Sequence, residues 1–150
     1  MFEERLAEFQ RRLAAGGVDV ALITDDDSVY YLTGYYDYLH MDFGRPTILV
    51  IDADGSILIT PSMEAHMAEA EARVDRMMFW NDGLGNEWRE GLPELLRGVV
   101  GIEPDGMPPV VRRFVDAHVD QPRDVTPVLG GMRIIKSPQE VQLARLHHGP

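Results

Sequence analysis

Residues 47–60 read TILVIDADGSILIT, which is two β-rich runs joined by a short polar turn. Isoleucine, leucine and valine fill residues 48–51 and 57–59, and Asp54-Gly55 falls between them. An Asp-Gly pair flanked by apolar β-formers is typical of a β-hairpin. The stretch therefore predicts two antiparallel strands.

The residues before this hairpin predict a helix, a strand and a second helix. Apolar side chains recur at helical spacing ahead of Gly16-Gly17, at Phe2, Leu6, Phe9 and Leu13. Residues 18–24 predict a buried strand. Asp25-Asp26-Asp27 then offers N-caps for a short helix that ends at Gly34. Hard cations also prefer carboxylates, but no histidine or glutamate at useful spacing completes a metal site, so we favour capping.

The residues after the hairpin continue the alternation of helices and strands. Thr60-Pro61 predicts a helix start. The predicted inner face of this helix consists of Met63, Met67, Ala70 and Val74. Its predicted solvated face carries Glu64, His66 and Glu69. Residues 77–80 predict a strand, and Trp88 and Leu92 fit a helix that Pro93 interrupts.

The last third predicts a strand at residues 99–103, a helix from Pro108-Pro109, a strand at residues 125–129 and a hinge at Gly130-Gly131. The helix is expected to bury Val111, Phe114, Val115 and His118. Most connections run through helices, while one is a tight hairpin. The predicted fold class is therefore α/β: three layers, α/β/α, around a mixed, mostly parallel sheet that contains one hairpin.

Composition limits the function classes. The chain has 150 residues, of which 14 are Lys or Arg and 25 are Asp or Glu, giving a formal net charge of −11. An acidic surface repels phosphate backbones and anionic lipid, so we expect neither nucleic-acid nor membrane binding. There is no cysteine, which excludes disulfides and thiolate metal sites. We expect one soluble, cytoplasmic domain.

The end of the chain predicts a new element. Ser137-Pro138-Gln139-Glu140 is a capping box with proline at the first helical position. Only about a dozen residues follow, which is marginal for an isolated helix. We therefore expect a fragment boundary, with more polypeptide normally following.

An ordered set of motifs resembles the N-terminal domain of the creatinase/prolidase/aminopeptidase P superfamily. The set comprises Tyr31-Leu32-Thr33-Gly34-Tyr35, Arg45-Pro46 before the hairpin, Gly101-Ile102-Glu103, and Met132-Arg133-Ile134-Ile135-Lys136-Ser137-Pro138-Gln139-Glu140. The resemblance spans the whole chain and implies a ribonuclease H-like mixed sheet. It further implies a domain at residues 1–131, with residues 132–150 forming a linker and the first helix of a C-terminal catalytic domain.

That catalytic domain is of the "pita-bread" type in family members. In the peptidases it binds two divalent metals, such as Mn, Co or Zn, and none of its metal-ligand motifs occurs here. The resemblance implies that the 150-residue chain alone is inactive and carries no cofactor or metal. It also implies a homodimer, with a small peptide or guanidino-acid substrate and the chain's own catalytic domain as partners.

Phe43-Gly44-Arg45 resembles the Phe-Gly-Arg of creatinases, in which the Phe and Arg reach the partner's active site and hold the substrate carboxylate. A guanidinium is a planar fork that matches a carboxylate, and a neighbouring aromatic ring excludes water. The surrounding loop does not follow a creatinase pattern, so creatine and Xaa-Pro peptides both remain open as substrates. An ordinary surface ion pair is the alternative role for Arg45.

Other side chains could line the substrate pocket: Tyr35, Tyr38, His40 and Trp80. Tyrosine combines a large ring with a polar tip, and histidine titrates near neutrality. Core packing is the alternative for the aromatic residues, and a solvated loop position is the alternative for His40. For Tyr30 and Tyr31 we favour core packing.

Three functions remain open at this stage. The first is the non-catalytic N-terminal domain of a dimeric hydrolase. The second is a stand-alone module that binds a small carboxylate or a protein and lacks the catalytic domain. The third is an unrelated α/β domain that matches by chance, for which the absence of the hairpin would be diagnostic.

Overall fold

A single six-stranded sheet forms the centre of the computed structural model, which describes residues 1–36, 46–81 and 87–134. In chain order its strands are β1 (Val20–Ile23), β2 (Ile48–Asp52), β3 (Ser56–Pro61), β4 (Arg76–Trp80), β5 (Val100–Ile102) and β6 (Arg123–Asp124). Across the sheet they run β4-β3-β2-β1-β5-β6.

The predicted hairpin is confirmed and sets the register of the sheet. β2 and β3 pair antiparallel with Ile48 opposite Ile59 and Ile51 opposite Ser56. β2 also pairs antiparallel with β1, whereas the β1–β5, β3–β4 and β5–β6 pairs are parallel. Three of these five strand pairs are parallel, so the sheet is mixed and mostly parallel, as predicted.

Six α-helices are described beside the sheet. They are α1 (Phe2–Ala15), α2 (Asp26–Thr33), α3 (Ala65–Glu71), α4 (Leu92–Leu95), α5 (Pro109–His118) and α6 (Thr126–Ile134). Short 3₁₀ turns occupy Ser62–Glu64, Glu87–Arg89 and Pro104–Gly106. None of the helices within residues 1–36, 46–81 and 87–134 combines the length and apolar character needed to cross a bilayer.

Two apolar cores cover the opposite faces of the sheet, because strand side chains alternate between faces. Leu49, Leu58 and Phe9 belong to the first core, with α1, α2, α3 and α6. Ile48 and Ile59 belong to the second, with α4 and α5. The three-layer α/β/α arrangement is therefore confirmed.

The boundaries of α2 follow from its capping residues. The carboxylate of Asp25 accepts a hydrogen bond from the Ser28 backbone N–H at 3.1 Å, which satisfies a donor left open by the helix start. Gly34 ends the helix in a left-handed conformation, with φ of 81°. Capping by Asp25, predicted from the sequence, is thus confirmed.

The helix predicted from Thr60-Pro61 begins later than expected and turns a different face inward. Both residues stay in β3, and the 3₁₀ turn at Ser62–Glu64 precedes α3. Glu64, Ala68 and Ala72, four residues apart, take the inward positions and are buried, whereas Met63 and Met67 are exposed. The predicted inner face was wrong.

The predicted strand at residues 125–129 and the predicted hinge at Gly130-Gly131 were also wrong. The strand is only Arg123–Asp124, and both glycines lie inside α6. A side-chain oxygen of Asp124 accepts a hydrogen bond from the Thr126 backbone N–H at 2.8 Å at the start of this helix. α6 continues to Ile134, across the expected domain boundary at residue 131.

Two smaller predictions on side-chain placement failed. His118 is exposed, although its ring stacks on Phe114 with centroids 4.2 Å apart. Tyr30 is 49% exposed, because it lies on the outer side of α2 and contacts the rings of Phe2 and Tyr36 edge-on.

Candidate functional site

Buried polar side chains concentrate at one end of the sheet. The parallel strands β1, β3, β4 and β5 all have their carboxyl ends there, and β2 begins there. Ligands of open α/β sheets bind outside the carboxyl ends of the strands. Six of the eight buried polar residues in the described ranges lie at this end: Thr24, Ser28, Thr47, Thr60, Glu64 and Glu103.

A tyrosine and a glutamate are paired inside the first core at this end. Tyr35 follows α2 directly and is fully buried, and its hydroxyl donates a hydrogen bond to Oε2 of Glu64. The Tyr35 backbone N–H donates to Oγ1 of Thr33 at 3.1 Å, so backbone and side chain are both held. Glu64 is 1% exposed. Its Oε1 has no hydrogen-bond partner among the described residues.

A pair of threonine hydroxyls lies next to this contact in the sequence. Oγ1 of Thr47, just before β2, and Oγ1 of Thr60, near the end of β3, are 2.8 Å apart and buried. The β2–β3 register brings them together, since Ile48 lies opposite Ile59. Pro46 is buried as well.

These two contacts fix both sides of the segment that carries the predicted substrate-binding residues. Tyr35 lies two positions before residues 37–45, and Thr47 lies two positions after them. Both are bonded to the stretch 60–64 of the chain. Four predicted site residues lie outside the described residues, and their roles stay predictions: Tyr38, His40, Phe43 and Arg45.

Tyr35 and Trp80 are the two predicted pocket residues that the structure describes. Tyr35 belongs to the first core and Trp80, 5% exposed, to the second, so the sheet separates them. The indole Nε1–H of Trp80 is buried with no acceptor among the described residues. A contribution of either residue to a substrate pocket stays a prediction.

A second polar group lies where β1 and β5 end side by side, which is where the strand order of the sheet reverses. Arg133 Nη2 donates to Oγ of Ser28 at 3.0 Å, and the Arg133 guanidinium lies 5.2 Å from the ring centroid of Tyr31. Burial raises the pKa of Glu103, which the negative charge of Asp25 raises further, while the Ser28 hydroxyl and Arg133 lower it. The group links the sheet to the last turn of α6.

Sequence reasoning missed the burial of Glu64. It was predicted on a solvated helix face with His66 and Glu69, which are indeed exposed. The available signal was the spacing of Glu64, Ala68 and Ala72, four residues apart, which marks one helical face. Because charged residues are rarely fully buried, the glutamate obscures this signal in the sequence.

The described residues do not form a metal centre. No group of three His, Asp or Glu side chains within residues 1–36, 46–81 and 87–134 is placed to hold an ion. The polar contacts described at the carboxyl end of the sheet are hydrogen bonds that position neighbouring residues.

An open groove of about 360 Å³ lies at the other end of β3, between α1 and residues 72–75. Its polar lining includes Gln10, Arg73 and Asp75. The Asp75 carboxylate accepts a hydrogen bond from the Ser56 backbone N–H at 2.9 Å, and Gln10 Nε2 donates to the Asp52 carbonyl at 2.8 Å. The side chains of Gln10 and Asp75 thus bond to backbone groups at the end of β2 and the start of β3.

Comparisons with known proteins agree with this architecture. The family model described as the Creatinase/Prolidase N-terminal domain matches residues 5–135. The creatinase of Bacillus sp. (strain B-0618) is 25% identical over 149 aligned residues, which cover 94% of this chain and 34% of the creatinase. The chain therefore spans about a third of the length of this relative.

Solved structures show the same fold. Dipeptidase PepE from Mycobacterium ulcerans has a TM-score of 0.76 and 25% identity, covering 94% of this chain and 38% of that one. A proline dipeptidase from Streptococcus pneumoniae TIGR4 has a TM-score of 0.73 and 22% identity, covering 87% and 98%. The prolidase from Pyrococcus horikoshii OT3 has a TM-score of 0.69 and 22% identity, covering 93% and 37%.

The three-layer domain, with its mixed sheet and central hairpin, is thus of a type found in proline dipeptidases. This chain belongs to the creatinase/prolidase N-terminal domain family.

Proposed function

We propose that the chain is the non-catalytic N-terminal domain of a dimeric Xaa-Pro peptidase or creatinase-like hydrolase. In this proposal residues 132–150 lead into a C-terminal catalytic domain, and the N-terminal domain contributes to dimerisation and to the partner's substrate pocket. The proposal is supported by relatives named as a creatinase and a dipeptidase, of which the chain covers 34% and 38%. In a peptidase, two divalent metals would belong to the catalytic domain.

The proposal is supported by the way in which both flanks of residues 37–45 are held at the carboxyl end of the sheet. Tyr35 and Thr47 hold the two flanks through buried hydrogen bonds. Fixed flanks reduce the conformational entropy that the residues between them lose on binding. Tyr38 and His40 would line the same pocket.

Arg45 and Phe43 would do the binding. The Arg45 guanidinium would form a bidentate contact with the substrate carboxylate, and the Phe43 ring would keep water from that contact. A hydrogen bond between charged groups contributes about 1.5–3 kcal/mol when desolvated. The reaction itself would take place on the groups of the catalytic domain.

The first experiment compares the 150-residue chain with the full-length natural polypeptide in hydrolysis of an Xaa-Pro dipeptide and of creatine. We expect activity only in the longer protein. Arg45→Ala in that protein should raise KM by about 10- to 100-fold while kcat changes less, because binding is lost in ground and transition states alike. Arg45→Lys keeps the charge but not the planar guanidinium, so its KM should lie between those of the wild type and Arg45→Ala.

Mixed dimers test whether Arg45 acts on the partner's site. One subunit carries Arg45→Ala, and the other keeps Arg45 but has a disabled catalytic domain. If Arg45 acts in trans, the intact catalytic site of the first subunit regains the wild-type KM. If Arg45 acts in its own subunit, no site in the mixed dimer is fully active.

The alternative function is a stand-alone binding module, and two other observations would support it. A natural polypeptide of 16.9 kDa, the mass of this chain, would favour it. So would calorimetric binding of proline dipeptides or creatine by the 150-residue chain that Arg45→Ala abolishes.

A further inference from the structure

The buried Glu64 has no role in the function proposed so far. It is 1% exposed, and the hydroxyl of Tyr35 is bonded to only one of its two carboxylate oxygens. Burying a carboxylate with an oxygen left unpaired is unfavourable, and an apolar side chain would fill this part of the core at a lower cost in stability. The carboxylate instead fixes the position of the Tyr35 hydroxyl through a directional hydrogen bond.

The hydroxyl pair of Thr47 and Thr60 is likewise a buried polar contact that packing alone does not require. Its Oγ1 atoms are 2.8 Å apart in a buried position between β2 and β3, where two apolar side chains would serve packing equally well. The hydroxyl of Thr60 lies four residues from Glu64 in the chain. Two independent buried bonds therefore converge on one short stretch of backbone, residues 60–64.

We propose that Tyr35, Thr47, Thr60 and Glu64 form an anchor that holds both flanks of residues 37–45, with Glu64 as a positioning residue for Phe43 and Arg45. The anchor is defined by two bonds: the Tyr35 hydroxyl to Glu64, and the Thr47 hydroxyl to that of Thr60. This inference rests on the proposed function for the roles of Phe43 and Arg45. The anchor itself rests only on the described contacts.

The geometry explains why the flanks are held in common. The last residue of α2 is Thr33, and β2 begins at Ile48. Tyr35 and Thr47 reach the same stretch from its two sides, so a displacement of one flank relative to the other is resisted by both bonds. Arg45 precedes Thr47 by two residues in the sequence, and in this proposal the anchor limits the positions open to it.

Hydrogen exchange of the 150-residue chain tests the anchor without reference to activity. Tyr35→Phe and Thr47→Val each remove one hydroxyl, and amides in residues 35–47 should then exchange about tenfold faster, as expected for loss of a hydrogen bond that restrains local opening. Thr47→Ser keeps the hydroxyl and should restore slow exchange. Unchanged exchange in both Tyr35→Phe and Thr47→Val would overturn the anchor.

Ser56→Ala provides the matched control. Ser56 is also buried in β3 and its Oγ lies 3.2 Å from Asp75 Oδ2, but at the opposite end of the sheet. This variant loses a comparable side-chain bond, so it reports general destabilisation alone. If it accelerates exchange in residues 35–47 as much as Thr47→Val does, the effect is global and the anchor is refuted.

Kinetics of the full-length protein test the positioning role. Thr47→Val and Glu64→Leu, which removes the acceptor of the Tyr35 hydroxyl, should raise KM toward that of Arg45→Ala, with kcat less affected and with Thr47→Ser restoring the wild-type value. Ser56→Ala should leave KM unchanged. A KM in Thr47→Val and Glu64→Leu no higher than in Ser56→Ala overturns the positioning role. If Arg45→Ala itself leaves KM unchanged, the proposed function fails, while the exchange experiment still decides whether the anchor exists.

Discussion

Gly34 places the backbone directly against the ring of Phe2, where the end of α2 meets the start of α1. A Cβ built on Gly34 would lie 3.0 Å from Cε2 of Phe2, and the residue has a φ of +81°. A side chain at this position would therefore strain the backbone and displace the Phe2 ring.

Gly34→Ala is accordingly expected to destabilise the domain. The left-handed conformation alone costs an L-residue about 1–2 kcal/mol, and displacement of the Phe2 ring adds to this. Urea denaturation should show a lower midpoint with an unchanged slope. Gly130→Ala is the matched control, because nothing lies within 4 Å of its Cβ position in α6. It should raise stability by up to about 1 kcal/mol. Equal effects of Gly34→Ala and Gly130→Ala on the denaturation midpoint would contradict the requirement for glycine at position 34.

Removal of the Tyr35 hydroxyl should be costly although it deletes a single atom. Tyr35→Phe leaves both oxygens of the buried Glu64 without a donor among the described residues. We expect a loss of about 1–3 kcal/mol in the free energy of unfolding. Tyr30→Phe, at a ring that is 49% exposed, should change it by less than about 0.5 kcal/mol. Indistinguishable values for the two variants would mean that the Glu64 contact contributes nothing.

Glu103 should make the domain less stable as pH rises above the ordinary pKa of the carboxyl. Burial raises the pKa of Glu103 in the folded protein above the value of 4.5. Between pH 4.5, the ordinary pKa, and the raised pKa of the folded protein, the folded state keeps a proton that the unfolded chain has released. The free energy of unfolding therefore falls with rising pH in this range. Glu103→Gln removes this dependence. Its stability relative to wild type should therefore grow as pH increases from 4.5 through the raised pKa.

Asp25→Asn provides the check for this prediction, because the charge of Asp25 contributes to the raised pKa of Glu103. Removing that charge should lower the raised pKa of Glu103, so the pH range over which stability falls should end at a lower pH. A constant difference between Glu103→Gln and wild type across the pH range would contradict the prediction.

The N-cap of α2 gives a prediction that separates hydrogen bonding from charge. Asp25→Ala should cost about 1 kcal/mol, because the side chain no longer accepts the hydrogen bond from the Ser28 N–H. Asp25→Asn keeps an acceptor and should lose less. Asp27→Ala removes a neighbouring exposed carboxylate that does not cap the helix, and thermal denaturation should show the smallest change. A larger effect at Asp27 than at Asp25 would refute the capping role.

The sequence predicted those elements whose signals are local. The hairpin of β2 and β3 is encoded in adjacent residues, and α1 has an uninterrupted apolar period ahead of Gly16. For α3 the large apolar side chains of Met63 and Met67 predicted the wrong inner face, because the structure buries the positions one residue later, at Glu64 and Ala68. The strand predicted at residues 125–129 is replaced by the start of α6, where the buried Val125, Leu129 and Met132 follow a helical period.

The candidate site was predictable only in part, for a physical reason. The chemical character of Arg45 and Phe43 can be read from the residues themselves. The contacts of Tyr35 with Glu64 and of Thr47 with Thr60 join positions 29 and 13 residues apart. Such pairs depend on how helices and strands pack, which local periodicity does not encode.

The common attachment of both flanks of residues 37–45 has a consequence for how this type of domain can diversify. The two bonds join side chains outside these nine residues, so a change in the sequence of residues 37–45 leaves the bonded groups themselves in place. We expect replacement of residues 37–45 by those of a relative to alter what the protein recognises while both bonds are kept. Folding and selectivity would then be inherited separately.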